Sequence, residues 1–196
     1  MTVVVGVTCG DSVAIATNLE TSFGDARFGP PNFVGKDIVQ VKSSIICTAG
    51  WGIYGDLLAR VGAEPDCPDP VDEQSIFDFL LWFWKQLKER YHFVNDQSDG
   101  NETRDPFASL ESAFVVASPS GLFRITEHIS VTRFHQFTAT GSGEWLALGA
   151  LDVLYDPKRD PAQIALRAAQ AAAKYDAHSR GPIEVWTLGG ERRVVD

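Results

Sequence analysis

Thr2 follows Met1 directly and combines two reactive groups on one residue once the Met1–Thr2 bond is hydrolysed. It would then carry a side-chain hydroxyl and a free α-amine. Such an amine has a pKa of about 7.7–8.0, so it can accept the hydroxyl proton near neutral pH. The pair predicts an oxygen nucleophile that needs no separate histidine. While Met1 is attached, the nitrogen is an amide and the site is silent.

The composition limits the kinds of partner that this chain can have. Its 196 residues are 44% hydrophobic and 22% charged, which fits one domain spanning residues 1–196. The net charge of -9 argues against nucleic-acid or anionic-membrane binding, since both need clustered Lys and Arg. No apolar stretch reaches spanning length, and the N-terminus lacks the order of a signal peptide. The expected location is therefore the cytoplasm.

Metal-binding patterns are missing from the cysteine and histidine positions. Cys9, Cys47 and Cys67 show no C-x-x-C spacing, and the four histidines have no second ligand at zinc-like intervals. We expect the cysteines to be structural and the protein to hold neither a metal nor a cofactor.

Hydrophobic periodicity predicts alternating blocks of strands and helices. In the first half, strands are expected at 2–8, 12–17, 38–41 and 44–49 and helices at 51–61 and 75–91, with a loop at 23–34. In the second half, strands are expected at 112–117, 122–127 and 136–140, helices at 144–155 and 161–175, and a closing strand at 183–188. Strands in hairpins and helices in consecutive pairs predict an α+β fold, a four-layer αββα sandwich of two antiparallel sheets.

The second predicted helix carries more aromatic residues than one buried stripe needs. Trp82 and Trp84 lie off that stripe, so the helix should be buried on more than one side. We expect both indoles to contribute to a subunit interface. The polar stretch 95–105 that follows is expected to be an exposed loop.

With these elements placed, several short motifs resemble β-type proteasome subunits, the threonine-peptidase branch of the N-terminal nucleophile hydrolases. The resemblance covers almost the whole chain. Its anchors are Thr2, Ala16-Thr17-Asn18, Lys36, Thr48-Ala49-Gly50, Thr140-Gly141-Ser142-Gly143 and the Asp176-x-x-Ser179-x-Gly181 element. The family's fold is the same four-layer sandwich.

The resemblance assigns a role to each of these positions. It makes Thr2 the nucleophile and base, Lys36 the cation beside its oxygen, and Gly50 the backbone donor to the oxyanion. Ser142, Asp176 and Ser179 would form a hydrogen-bonded shell around the amine. Substrate would pair with the backbone at Ser22 and Gly50 and place a side chain near Thr48, as in β-augmentation.

One of these positions departs from the family pattern. Asn18 stands where the family has a carboxylate partner for the lysine. An amide accepts a hydrogen bond but cannot hold an ammonium by charge, so the Lys36 pKa should be lower than in an Asp-paired site. Glu20 is the nearby carboxylate that could substitute.

Three functions remain open on these residues. The first is a threonine peptidase that cuts peptides or unfolded proteins inside a homo-oligomeric ring. The second is an inactive or structural ring subunit, or a binding module, favoured by Asn18 and Met1. The third is an N-terminal nucleophile amidase acting on a small amide. The chain lacks G-x-x-x-x-G-K-[ST], so folded substrates would require a separate ATP-dependent unfoldase.

Overall fold

Two five-stranded antiparallel sheets form the centre of the structure, and each is covered on its outer face by a pair of helices. The computed structural model describes residues 2–23, 26–30, 32, 37–91 and 109–196. The strands are β1 Val3–Cys9, β2 Ser12–Asn18, β3 Thr21–Phe23, β4 Ala26–Phe28, β5 Ile38–Val41, β6 Ser44–Ala49, β7 Ala113–Ser118, β8 Gly121–Ile125, β9 Val131–Phe134, β10 Phe137–Gly141, β11 Ile183–Thr187 and β12 Arg192–Val195. The helices are α1 Ile53–Val61, α2 Glu73–Arg90, α3 Glu144–Leu154 and α4 Pro161–Tyr175.

The first sheet has the strand order β10-β1-β2-β11-β12, so β1 is an interior strand. All seven residues of β1 are buried, and four of them are valines, which pack well on a pleated surface. Val5 lies opposite Ala139 of β10 on one side and Ala16 of β2 on the other. The residue that precedes β1, Thr2, is therefore attached to the most enclosed strand of this sheet.

Three apolar layers hold the sandwich together. Residues on the outer face of the first sheet pack against α3 and α4, and Val5 and Ala168 belong to this layer. The second sheet, in the order β5-β6-β7-β8-β9, packs its outer face against α1 and α2. Val4, Cys47 and Val115 belong to the layer between the two sheets. This arrangement confirms the αββα sandwich expected from the sequence.

Gly6 marks a close approach of the two sheets. A Cβ atom at this position would lie 2.6 Å from Leu122 Cδ1 and 2.9 Å from Val115 Cγ1. Both distances are shorter than van der Waals contact, so the side chains of β7 and β8 occupy the space that Gly6 leaves open.

Local capping fixes two of the helix starts. Asp160 accepts a hydrogen bond from the Ala162 N–H, and Pro161 occupies the first turn, so α4 begins where the sequence predicts. Asp72 and Ser75 form a reciprocal capping box, which starts α2 at Glu73 rather than at residue 75. Helix α1 begins at Ile53, two residues later than predicted.

The sequence analysis does not predict four short strands. Strands β3 and β4 form a two-stranded hairpin that extends into the predicted loop 23–34. Strand β9 pairs with β8, and β12 pairs with β11, so the predicted last strand does not close the sheet. These strands have three or four residues, too few for a hydrophobic period to emerge. The predicted loop 95–105 lies outside the described residues.

Two contacts of the Arg192 side chain hold β12 in place. The Glu184 carboxylate has no exposed surface and forms an ion pair with Arg192. The Arg192 guanidinium lies 5.8 Å from the centre of the Trp186 ring. A charged edge strand can therefore add to the sheet without an apolar pattern of its own.

Trp82 and Trp84 are half-buried against their own subunit. Both pack on the cluster between α2 and the second sheet, and the Trp82 ring lies 6.2 Å from the Phe79 ring. This packing covers part of each indole within the chain, and the expected contribution of both to a subunit interface remains a prediction. Phe77 and Leu81 are the large apolar residues that α2 exposes.

Candidate functional site

The backbone of Thr2 is held between the ends of two neighbouring strands. Its carbonyl oxygen accepts a hydrogen bond of 2.9 Å from the Ser142 N–H, just beyond β10. The next N–H, that of Val3, donates to Asn18 Oδ1 at the end of β2, over 2.8 Å. Gly141 has a φ of +98°, and a Cβ atom there would collide with the Thr2 carbonyl oxygen. The glycine is needed for this close approach.

Asn18 connects three segments through its amide group. The side chain is fully buried, and its Nδ2 donates to the carbonyl oxygens of Glu20 and Arg180, over 3.3 Å and 3.2 Å. A carboxylate has no N–H for these two carbonyls, so an aspartate here would face two acceptors. The amide of Asn18 therefore has a structural role in this chain. It differs from the carboxylate of the family pattern in more than its charge.

Glu20 already has a cationic partner. Its Oε1 lies 3.6 Å from Arg27 Nη1 of β4. Lys36, for which Glu20 was the alternative carboxylate partner, lies outside the described residues, and so does Met1.

Ser142, Asp176 and Ser179 form a closed hydrogen-bonded group. The Ser142 hydroxyl donates to Asp176 Oδ2 over 2.7 Å and lies 2.9 Å from Ser179 Oγ. Ser179 is buried and donates to the same carboxylate oxygen over 2.5 Å. The three residues come from the end of β10, the end of α4 and the loop before β11. The Ser142 N–H also donates to the Thr2 carbonyl oxygen, so a single hydrogen bond joins this group to the Thr2 backbone.

The charge of Asp176 is stabilised in this group. Burial alone would raise the pKa of Asp176, but hydrogen bonds from the Ser179 and Ser142 hydroxyls and from the His178 N–H outweigh it and lower the pKa below its ordinary value. Asp176 is thus an anionic acceptor at neutral pH, which orients both hydroxyls.

The turn formed by residues 48–51 follows β6. Cys47 near the end of β6 and Val4 near the start of β1 belong to the same apolar layer between the two sheets. Thr48 is buried, and its N–H donates to the Asp37 carbonyl over 3.2 Å. Gly50 has a φ of +147°, and a Cβ atom there would collide with Ser112 Oγ. Only glycine fits this turn.

Asp37 is a residue that the sequence analysis missed. Burial raises its pKa to about 6, and the nearby Asp56 carboxylate adds to that rise. A carboxyl group that titrates near neutral pH beside the Thr48 turn is a candidate functional group. Its place directly after Lys36 was the only sequence feature that pointed to Asp37. The burial that shifts its pKa depends on the fold.

Ser22 occupies the central position of β3, opposite Arg27 of β4. The short hairpin follows β2 in the chain, three residues after Asn18. The predicted pairing of substrate with Ser22 remains a prediction.

The cysteines are buried free thiols. Burial raises the pKa of all three above the ordinary value, that of Cys67 to about 11, so none is an activated thiolate.

Within the described ranges, no three His, Cys, Asp or Glu side chains are grouped so that they could hold a metal ion. No helix of these ranges is both long and apolar enough to cross a membrane.

No family model matches the chain, and no curated protein matches it in sequence. Solved structures do match. BPH of Thiobacillus denitrificans, a bacterial proteasome homologue, is 26% identical with a TM-score of 0.82, over 96% of this chain and 97% of that one. The same protein in complex with epoxomicin aligns at 24% identity with a TM-score of 0.82, over 96% and 98%. Eukaryotic HslV from Trypanosoma brucei shares 18% identity with a TM-score of 0.62, over 95% and 98%.

These similarities extend over the full sandwich rather than over one motif. The chain has the fold of the proteasome-like N-terminal nucleophile hydrolases and resembles the bacterial proteasome homologue over almost its whole length. At the level of the family, this supports a proteasome-like threonine peptidase.

Proposed function

We propose that this protein is a threonine peptidase that hydrolyses peptide bonds with Thr2 as its nucleophile after removal of Met1. The observation that carries the proposal is the support around Thr2: the Ser142 N–H binds its carbonyl, and the Ser142 hydroxyl is held by Asp176 and Ser179. Such a group at the start of an interior strand would hold the α-amine of Thr2 in one place.

The chemistry uses one proton and one oxygen of Thr2. The α-amine takes the hydroxyl proton while the oxygen attacks the substrate carbonyl carbon. The Gly50 N–H donates to the developing oxyanion, a contribution of about 3–4 kcal/mol for one donor. The protonated amine then gives its proton to the leaving nitrogen, and the peptide bond breaks to leave an ester on Thr2. Water, deprotonated by the same amine, hydrolyses this ester.

Lys36 supplies the positive charge in this scheme. An ammonium beside the Thr2 oxygen lowers the energy of the alkoxide that forms during attack. Because Asn18 carries no charge, this ammonium has no ion-pair partner at the position where the family has a carboxylate.

We also propose the assembly and the setting in which the activity operates. Subunits would form a homo-oligomeric ring in the cytoplasm, with peptides or unfolded proteins as substrates and a separate ATP-dependent unfoldase for folded ones. Support comes from the proteasome-like and HslV-like folds of the compared structures and from large apolar side chains exposed on α3. Trp145 is 80% exposed and Val153 is 83% exposed.

The alternative is an inactive ring subunit of the same fold. The three hydrogen bonds of Asn18 favour it, because they show an amide adapted to linking strands where the family places the partner of the lysine.

Covalent labelling separates the two functions. Met1-free protein should gain the mass of one electrophilic peptide inhibitor, such as epoxomicin, on Thr2, as located by peptide mapping. Two controls should stay unlabelled: Thr2→Ala, and a form with a Gly-Ser extension ahead of Thr2 that keeps its nitrogen in an amide. Labelling of Cys9, Cys47 or Cys67 with Thr2 unmodified would refute the assignment, and an unlabelled Met1-free protein would favour the inactive subunit.

A further inference from the structure

Trp51 is an exposed tryptophan in the turn that the proposed peptidase uses for its oxyanion donor. It follows Gly50 directly, and 64% of its surface is exposed. Ile53, two residues on, is 41% exposed. The turn therefore presents two large apolar side chains to solvent at its end.

The exposed indole is nevertheless held in one orientation. Its Nε1–H donates to Glu111 Oε2 over 3.1 Å, and the Trp51 backbone N–H donates to Ser112 Oγ over 3.1 Å. Two neighbouring residues thus fix both the main chain and the ring. An immobilised aromatic ring offers contact area without the entropy cost of ordering it on binding.

The segment that holds the indole is itself anchored. Glu111 has a φ of +52°, a left-handed conformation that is uncommon for a non-glycine residue, and its N–H donates to Ser109 Oγ over 2.9 Å. Leu110 is buried, and its N–H donates to the Glu127 carbonyl over 2.9 Å. A strained residue kept in place at an exposed site points to a function for the geometry that it imposes.

Trp51 and Thr48 differ in their exposure to a bound substrate. Thr48 is buried, whereas Trp51 is largely exposed, and Gly50 between them has a positive φ. A peptide lying along Gly50 would place one side chain toward Thr48 and a different one against the indole.

We propose that Trp51 is a specificity-determining residue, the wall of a rim subsite that selects peptides with a large apolar side chain next to the residue that faces Thr48. The inference rests on the proposed function for the position of the peptide, because Gly50 is the proposed oxyanion donor. The indole would supply the contact, and the hydrogen bonds to Glu111 and Ser112 would keep it in place for a peptide that lies along Gly50.

Binding to a variant that cannot turn over tests this inference separately from catalysis. Thr2→Ala protein would be titrated with labelled hexapeptides in which one position at a time is Ala, Phe, Leu or Lys. At one position, Phe and Leu should bind about tenfold more tightly than Ala, in the range of an aromatic contact. With Trp51→Ala added, this difference should vanish while the affinity for the alanine peptide stays the same.

Two further variants separate a positioning effect from general damage. Glu111→Ala frees the indole Nε1–H and should reduce the preference without removing it. Phe77→Ala removes an exposed aromatic side chain of α2 and should leave the preference intact. The inference fails if the Trp51→Ala protein keeps the preference or loses the same affinity for every peptide. It also fails if no peptide binds with an affinity that depends on Trp51. A preference for Lys over Phe at that position would also overturn it. Failure of Met1-free wild type to be labelled at Thr2 concerns the peptidase proposal and leaves this binding test valid.

Discussion

At the scale of single residues, the candidate site depends on groups whose charge is set by their surroundings. Asp176 is kept anionic by hydrogen bonds from two hydroxyls, whereas Asp37 is pushed toward its protonated form by burial. The pKa values of these two carboxyl groups are thus shifted in opposite directions. The first suits a fixed acceptor, and the second suits a group that titrates.

Lys36→Ala should remove most of the turnover of mature protein. It deletes the cation expected beside the Thr2 oxygen, and the loss of such an electrostatic stabiliser costs about 10²-fold or more in kcat. Steady-state cleavage of a fluorogenic peptide measures it. Lys85→Ala, which removes an exposed lysine of α2, is the matched control and should retain turnover. Full activity of Lys36→Ala would show that the catalytic assignment is wrong.

Asp37 predicts a specific dependence of stability on pH. Its folded pKa of about 6 lies above the unfolded value of about 3.9, so the folded state holds the proton more tightly. The stability from this group is complete below about pH 4 and is lost as pH rises through 6, which amounts to at most about 3 kcal/mol. Asp37→Asn should therefore be more stable than wild type at pH 8 and similar to it at pH 4.

Urea unfolding at the two pH values measures this difference. Asp11→Asn, in the exposed turn between β1 and β2, serves as the control for a general loss of negative charge. If Asp37→Asn shifts stability equally at pH 4 and pH 8, Asp37 does not titrate near 6 in the folded protein.

At the scale of elements, the distance between the two sheets is set where β1 faces β8. Gly6→Ala should destabilise the protein by about 1–3 kcal/mol, because the added methyl meets Leu122 and Val115 at less than contact distance. Gly149→Ala is the matched control: it lies in α3 with open space around it, and should be neutral or stabilising by up to about 1 kcal/mol.

Thermal denaturation of both variants distinguishes overpacking from a general effect of alanine. A second change, Leu122→Ala, should partly restore Gly6→Ala by making room for its methyl, since residues in contact do not act independently. Equal costs of Gly6→Ala in both backgrounds would rule out this contact as the cause.

The sequence predicts elements well where local chemistry is strong. A run of valines identifies β1, and the Asp160-Pro161 pair identifies the start of α4. Strand β12 has the sequence Arg192-Arg193-Val194-Val195. Its contact with β11 includes the ion pair of Arg192 with the buried Glu184, which no local sequence pattern reveals. Asn18, Ser142 and Asp176 are far apart in the chain, so only the resemblance to a family brings them together before the structure does. The raised pKa of Asp37 depends on burial by several elements.

At the scale of the whole molecule, several of the exposed apolar residues lie on the outer helices. Trp145, Leu146 and Val153 are exposed on α3, and Phe77 and Leu81 on α2. Trp82 and Trp84 pack inward instead. The surface that association would cover is therefore better represented by α3 than by the two indoles of α2.

Sedimentation at micromolar concentration should show an oligomer rather than a monomer. Trp145→Glu together with Val153→Glu should reduce its mass, because two charges would have to be buried in the contact. Trp82→Ala should instead lower the Tm of the subunit, since it removes packing within the chain. A monomeric wild type, or a double variant with unchanged mass, would contradict this surface.

The interior position of β1 has a consequence for how the site behaves over time. Hydrogen bonds to β10 and β2 occupy both sides of the strand, so the segment that carries Thr2 cannot open without breaking two ladders at once. In hydrogen–deuterium exchange, the amides of β1 should be among the slowest of the described residues, whereas those of β12 at the edge exchange early. The strand that follows Thr2 would therefore be as durable as the core.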